Sequence, residues 1–410
     1  MTTLLSINNY HYRRGGADAV YLDHDALFRG AGWDTACFAM QHAKNLPSEF
    51  AAYFVEEIEF GESYGLAERL AMAARIIWSR EARRKLAQLI TAVRPDVAHV
   101  HCVYHHISPS FLPVLQAAGI PVVMTAHDLK LLCPAYTMLS HGSVCERCAG
   151  GATWNVVARR CIKNSLPLST LIGIESAIHR VARVYRNNVD RLVTPSRFYH
   201  GKFREYGWPE DQLAYVPNFV QVDDFAPEYA PGDYFVYIGR LSYEKGISTL
   251  VEAAARAGVK LVVVGDGPLR ETLGRDAQAR QAPIHFTGYQ SGDALRTWLR
   301  NSRALVLPSE WYENAPISVL EAYASGKPVV GARIGGIPEL IAEEETGWLF
   351  DSGSADELAA LLANLAAADD RVIAAAGRAA RQRVEARHTP SRYLEAMCEL
   401  YAGLGAGEAA

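Results

Sequence analysis

The chain has 410 residues, half of them hydrophobic and 21% charged, a globular composition long enough for two cores of about 200 residues each. No apolar run approaches the roughly 18 residues that span a bilayer. The formal charge of -4 divides unevenly: up to Asn218 there are 23 Lys and Arg against 19 Asp and Glu, and beyond it 18 against 26. A positive first half suits an anionic partner, whereas a negative second half argues against a nucleic-acid clamp over the whole surface.

Residues 1–10 lack a basic leader followed by a long apolar stretch, so they read as a first strand and not a signal peptide, and a cytoplasmic protein is expected. Gly15-Gly16 follow that strand after Arg13-Arg14 and precede a helix; glycines there let a phosphate or sugar approach the backbone, with a simple tight turn as the alternative. No full G-x-G-x-x-G is present, which disfavours a dinucleotide cofactor. Arg69, Arg75, Arg80, Arg83, Arg84 and Lys85 share a stretch with Ile76, Ile77 and Trp78 that reads as a helix lying on an anionic membrane, or as a solvated helix over the core.

Residues 4–8, 35–40, 97–101, 122–126 and 191–194 read as strands. His127-Asp128 follow the fourth of these, where an acid beside a histidine raises the odds of a chemical role over a structural one. Cys133, Cys145, Cys148 and Cys161 cluster, with the C-x-x-C spacing of a zinc turn at the centre; unrelated buried thiols are the alternative. Cys37, Cys102 and Cys398 read as buried apolar residues.

The pattern begins again after a boundary at Val216-Pro217-Asn218 and a linker at 224–232, with strands at 234–238, 261–264, 284–287, 304–307 and 329–332. Such β/α alternation predicts two parallel, doubly wound sheets with ligands at the carboxyl ends of the strands and a cleft between them. Arg240 and Lys245, in Gly239-Arg240-Leu241-Ser242-Tyr243-Glu244-Lys245-Gly246, stand at one such end and suit a diphosphate. Gly265-Asp266-Gly267-Pro268 and Gly288 follow the next two strands; ordinary turns are the plain reading and donor contact the functional one. Glu313, Asn314, Ala315 and Pro316 fall in the loop after the fourth strand. Pro316 suits a first helical position, the free N–H groups there suit an anion, and Glu321 lies far enough along the helix to reach a sugar ring. A final helix near 390–404 follows a break at His388-Thr389-Pro390 and is expected to brace the first domain.

Arg240 and Lys245, the Glu313 and Glu321 pair, the Gly15-Gly16 loop, Thr125-Ala126-His127-Asp128 and Gly335-Gly336-Ile337-Pro338-Glu339 together resemble glycosyltransferase family 4. The match covers nearly the whole chain and is most specific over 237–341. It implies the GT-B fold, two Rossmann-like domains facing a cleft: 1–217 for an acceptor, 218–387 for a nucleotide-sugar donor, with 388–410 packed back on the first. It also implies retention of configuration, Arg240 and Lys245 on the donor diphosphate, Glu313 and His127 on the transferred sugar, and Glu321 on the ribose. Gly15, Gly16, Gly288, Asn314, Ala315 and Pro316 complete the expected donor contacts. The implied donor is UDP- or GDP-linked, the acceptor a glycan or lipid-linked glycan in cell-surface polysaccharide synthesis, reached at the inner face of a membrane. No cofactor is expected for the transfer, and no nucleic acid as partner. A nucleotide-sugar epimerase or hydrolase, or a non-catalytic sugar-binding protein, is the alternative. The cysteines lie outside the family pattern, with structural zinc as their expected ligand.

Overall fold

The computed structural model describes residues 2–58 and 65–407, and its contacts divide it into two compact units. The first runs to Met138, continues over Cys145–Val216 and resumes at Leu394; the second comprises Leu139–Val144 and Pro217–Tyr393. The chain passes between units at Val216 and Pro217. The expected linker at 224–232 is bonded into the second unit, through Glu228 N–H to Ser325 O (3.0 Å) and Lys327 Nζ to Ala230 O (2.8 Å).

In chain order the first half supplies β1 Thr3–Ile7, β2 Asp34–Phe38, β3 Val97–Val100, β4 Val122–Thr125, a two-residue hairpin β5 Leu139–Ser140 and β6 Ser143–Val144, then β7 Arg191–Thr194 and β8 Leu213–Tyr215. Six of these form a parallel sheet ordered β2-β1-β3-β4-β7-β8, with β1 facing β2 from Thr3↔Asp34 to Ile7↔Phe38. Every residue of β3 and β4 is buried, as parallel strands covered on both faces require. Hairpin β5-β6 and strand β8 are too short for an apolar run to announce them.

The basic stretch near residue 80 is two helices, Leu66–Ile77 and Arg80–Val93, broken at Trp78-Ser79, where the Ser79 hydroxyl caps the second by accepting Ala82 N–H at 3.1 Å. Glu81 pairs with both Arg75 (3.2 Å) and Lys85 (3.1 Å), and Ile76 is buried, so this stretch covers the core.

The second unit repeats the plan with β9 Phe235–Ile238, β10 Leu261–Val264, β11 Ile284–Gly288, β12 Ala304–Leu307, β13 Val329–Ala332 and β14 Gly347–Phe350, ordered β11-β10-β9-β12-β13-β14 and parallel throughout. Its strands read as short hydrophobic runs because helices cover both faces: Phe235, Val263, Val306 and Val330 join one core, Val236, Val264, Leu305 and Val329 the other. Chain order reverses between β9 and β12, which are adjacent through Ala304↔Phe235 and Leu305↔Val236. Among the described residues no helix is long and apolar enough to cross a membrane.

The last helix, Pro390–Ala402, enters the first unit at Leu394, and buried Tyr401 places its hydroxyl against His99 Nδ1 and, at 3.1 Å, His24 Nε2. Burial drives both imidazoles toward the neutral form, His24 down to about 3 and His99 well below its usual range. Unfolded histidines titrate near about 6.5. Below that pH the unfolded chain takes up protons that the folded one refuses, so stability is expected to fall as pH drops from 6.5 toward 3. Asp18 and Asp25, whose carboxyls burial raises, offset part of this loss. Melting temperatures measured from pH 7.5 to 4.5 should decline steadily; a flat profile would show these imidazoles to be accessible to protons.

Candidate active site

In an open α/β sheet the loops diverge where strand order reverses, which leaves a crevice at the carboxyl ends of the two central strands. Here those are β9 and β12. The loop after β9 carries Arg240 and then a helical turn, Tyr243–Lys245; the loop after β12 carries Ser309, Trp311 and Glu313. Lys245 Nζ lies 2.7 Å from Glu313 Oε1, and the Ser309 hydroxyl donates to the same oxygen at 2.7 Å. The Lys245 ammonium also stands 4.9 Å from the centre of the Trp311 ring, a cation–π distance. Glu313 is 5% exposed. Burial alone would raise its carboxyl, but the Lys245 ammonium and the Ser309 hydroxyl outweigh that and hold it below the usual carboxylate range. Glu313 is therefore ionised and already paired. Arg240 is exposed and makes no ion pair with a described residue, so its charge is open to a ligand.

Two glycines let the loops close this far. Gly246 sits at φ +66°, and a Cβ there would stand 1.9 Å from the Pro308 carbonyl oxygen. Gly335 sits at φ +59°, with its Cβ position 2.4 Å from the Glu313 carbonyl oxygen, which also accepts the Gly336 N–H at 2.8 Å. The Gly335-Gly336 turn thus supports the backbone of Glu313.

Pro316 is one position earlier than expected. With φ -65° and ψ 120° it is the cap of the helix Ile317–Ala324 and not its first residue, because an extended ψ precludes a helical turn there. Ala315 is buried and its carbonyl accepts Asn218 Nδ2 at 2.9 Å, while the Asn218 carbonyl meets His388 Nδ1 at 2.9 Å. Asn314 and Glu321, on the loop and within the helix, are partly exposed. Gly288 ends β11, and its carbonyl accepts the Gly265 N–H at 2.9 Å beside β10.

In the first unit, Gly15 caps and Gly16 opens the helix Gly16–Gly30. A side chain at Gly16 would meet nothing within 4 Å, and one at Gly15 only the Asp18 carboxylate at 4.0 Å, so internal packing does not demand glycine at either position. His127 follows β4, and its Nε2 lies 2.9 Å from His101 Nδ1. Burial lowers His127 to about 4 and takes His101 well below its usual range, so both are neutral at physiological pH. The adjacent acid, Asp128, is bonded elsewhere: its Oδ1 accepts the Lys130 N–H at 2.9 Å. His101 is the partner that sequence reasoning missed. The alternation His99-Val100-His101 at the end of β3, which puts both imidazoles on one face, was the available signal.

The four clustered cysteines are all free thiols. Cys133 and Cys148 are hydrogen-bonded to each other, and the Cys133 sulfur also accepts the backbone N–H groups of Met138 and Ala135. Cys145 and Cys161 are near enough to be felt electrostatically by Cys148. Among the described residues the tight group of three ligand-type side chains, with atoms within 4.8 Å of one another, is instead His24, His99 and His101. Both ring nitrogens of His99 are taken, by Tyr401 and by Thr125 Oγ1 at 2.7 Å, and the Tyr401 hydroxyl also meets His24, so these two histidines belong to a hydrogen-bonded network. Cys37 and Cys398 are buried as expected, whereas Cys102 is partly exposed.

Comparison with known proteins places this arrangement. The family described as Glycosyltransferase Family 4 matches residues 15–224, and that described as Glycosyl transferases group 1 matches 224–383. The chain is 31% identical over 225 residues to the GDP-mannose-dependent alpha-(1-6)-phosphatidylinositol monomannoside mannosyltransferase of Mycobacterium tuberculosis, covering 48% of this chain and 58% of that one. It is 26% identical over 324 residues to the alpha-D-kanosaminyltransferase of Streptomyces kanamyceticus, covering 75% and 74%. Several curated relatives are matched over less of their length, such as the sulfoquinovosyl transferase of Arabidopsis thaliana, 34% identical over 37% of this chain and 29% of that protein. In fold, the chain is similar to HepE of Anabaena in complex with UDP and glucose (TM-score 0.70, 17% identity, 98% and 100% covered) and to sucrose-phosphate synthase of Thermosynechococcus elongatus (0.72, 19%, 99% and 99%). These are GT-B structures, and the two parallel sheets here have that architecture. With half of the chain matched by one family description and the rest of the donor half by its companion, this protein belongs to the family 4 glycosyltransferases.

Proposed function

We propose that the protein transfers a hexosyl unit, with retention of configuration, from a UDP- or GDP-linked sugar to a glycan or lipid-linked glycan in cell-surface polysaccharide synthesis. The observation that carries this reading is the Lys245–Glu313 pair, its carboxylate buried, at the β9/β12 reversal, with Arg240, which pairs with no described acid, on the same loop as Lys245. The relatives support the donor class: one is named GDP-mannose-dependent, and HepE is described in complex with UDP-glucose.

In this reading Arg240 and Lys245 take the diphosphate, aided by the first-turn N–H groups of the helix Ile317–Ala324, and stabilise the charge that grows as the glycosidic bond breaks. Glu313, fixed as a carboxylate, accepts hydrogen bonds from hydroxyls of the transferred sugar, Glu321 from the ribose, and neutral His127 offers the sugar a hydrogen-bonding nitrogen. A phosphate oxygen of the leaving group takes the acceptor's proton, so the transfer needs neither a protein nucleophile nor a bound cofactor. Gly15 and Gly16, exposed and unobstructed, admit the donor's phosphates or sugar to the backbone.

We also propose that Cys133, Cys145, Cys148 and Cys161 hold a structural zinc. The Cys133–Cys148 contact and the N–H donors on the Cys133 sulfur suit a thiolate ligand, although Zn–S bonds of about 2.3 Å require Cys145 and Cys161 to come closer than they stand. From 126 to 165 regular structure amounts to a short hairpin, one 3-10 turn and one four-residue helix, so little else ties this segment down.

Release of the nucleoside diphosphate should require an acceptor; release at the same rate into water alone would identify a hydrolase. Arg240→Ala should cost roughly 2–4 kcal/mol of transition-state stabilisation, read as kcat/KM. Glu313→Gln should lower turnover about 100-fold or more yet leave nucleoside diphosphate affinity within about tenfold, while Glu321→Gln weakens nucleotide affinity first. Calorimetry with the bare nucleotide beside rates with the full donor separates the two, and matching effects would mean the roles are misassigned. Elemental analysis of protein prepared without chelator should find about one zinc per chain, lost together with several degrees of melting temperature in Cys145→Ser/Cys148→Ser; metal-free protein of full stability would rule the site out.

A further inference from the structure

The positive charge of the first half is concentrated where the proposed chemistry does not use it. Between residues 147 and 189 there are seven Lys and Arg against one acid, Glu175, which is buried and spent on Lys130 at 2.8 Å. Three of the seven, Arg180, Arg183 and Arg186, line a cavity of about 520 Å³ in the first unit with Lys130 and His179. None of the three pairs with an acid among the described residues. Arg186 donates to the Gly207 carbonyl and stacks 5.2 Å from the Trp208 ring centre, which fixes its position without neutralising it. Burial and the neighbouring Arg180 and Arg183 together lower the Arg186 guanidinium, the signature of like charges held close.

Next to this cluster lies an apolar surface that stays exposed among the described residues. On the helix Leu166–Val181, Ile174, Ile178 and Val181 recur at i, i+4 and i+7 and are 48%, 42% and 85% exposed. The cysteine segment seats its short helix Asn155–Ala158 across the same helix at Gly173, where an added Cβ would meet Val157 at 3.0 Å and Val156 at 3.2 Å. That contact brings up Trp154, 67% exposed, while the Arg180 guanidinium lies over Gly151 of the same segment. An exposed indole and arginines that pair with no acid among the described residues thus flank the exposed aliphatic stripe of this helix.

A soluble surface gains nothing from exposing Val181 and Trp154 together, and the helix C-terminus, which favours cations, explains only the arginines. Apolar residues rimmed by arginine fit the boundary of a bilayer, where the aliphatics enter the acyl region and the guanidiniums take lipid phosphates. We propose that this face, formed by the helix Leu166–Val181 and the segment carrying Trp154, docks the protein on an anionic membrane. It extends the reading of a lipid-linked acceptor by assigning the surface that brings the enzyme to it.

Cosedimentation of the full chain with phosphatidylcholine vesicles, with and without phosphatidylglycerol, tests the proposal without any sugar donor. Binding is expected only when phosphatidylglycerol is present and should weaken as salt is raised. Arg180→Gln with Arg183→Gln should reduce it about tenfold or more, and Ile178→Asp with Val181→Asp should abolish it. Both pairs are surface changes, so circular dichroism and release of nucleotide to a water-soluble acceptor should stay near wild type. Vesicle binding that is absent, indifferent to lipid charge, or unchanged in both variants overturns the assignment, as does a dimer in solution that the aspartate variants dissociate while vesicles go unbound. Those outcomes leave the transferase reading intact, and loss of transfer with vesicle binding preserved would overturn that reading alone.

Discussion

One ion pair, partly exposed Lys245 with buried Glu313, ties together the loops that follow β9 and β12 in the second unit. Withdrawing two charges from water costs several kcal/mol per ion, so a buried pair is weak evidence of stability and persists only with close geometry and further hydrogen bonds. Both conditions are met: Ser309 donates to the carboxylate, Trp311 lies near the ammonium, and glycines at 246 and 335 let the two loops approach. The partners are 68 residues apart in sequence and meet because β9 and β12 are neighbours in the sheet. What the pair accomplishes is a carboxylate that stays ionised although it is nearly inaccessible. A group fixed in that way accepts hydrogen bonds and does not drift into its acid form.

The first unit reaches the opposite electrostatic state by the same physics. His24, His99 and His101 are buried and His127 is partly buried, with no acid among them, so desolvation goes uncompensated and all four are held neutral. Tyr401 links His24 to His99, which also meets Thr125, His101 bonds to His127, and the His99 and His101 rings stack. A neutral imidazole donates through one nitrogen and accepts through the other, which suits a group that orients a hydroxyl. Because Tyr401 belongs to the last helix, the packing of the chain's end bears on the same network.

Charge in the first unit also redistributes on folding. In the conspicuous cationic stretch around residue 80, Glu81 pairs with Arg75 and Lys85, and Ile76 is buried. The arginines near residue 183 look ordinary in sequence, yet they stay unpaired because the acid nearest them on the helix, Glu175, points inward to Lys130. Net charge along a sequence says how much charge a region carries; which of it faces solvent is settled by helix phase and by the partners each side chain finds.

The repeated β/α plan was legible because buried parallel strands are short apolar runs, and β3, β4, β9, β10, β12 and β13 fall where those runs stand. The loops that carry Arg240, Lys245 and Glu313 were legible for the same reason: a strand's end locates the loop that follows it. Strand β8 was not, since a three-residue edge strand carries too little pattern, and β14 offers only the short run Trp348-Leu349-Phe350 after Gly347. Nor did the sequence show that Lys245 is bonded to Glu313, that His127 leans on His101 and not on Asp128, or that Pro316 caps its helix from outside. Each of these depends on which strands are neighbours and on backbone angles at a single residue. Local composition and periodicity determine which elements form and where their loops begin, because those follow from short-range sterics and burial. Which loops meet is decided by the strand order of the assembled sheet.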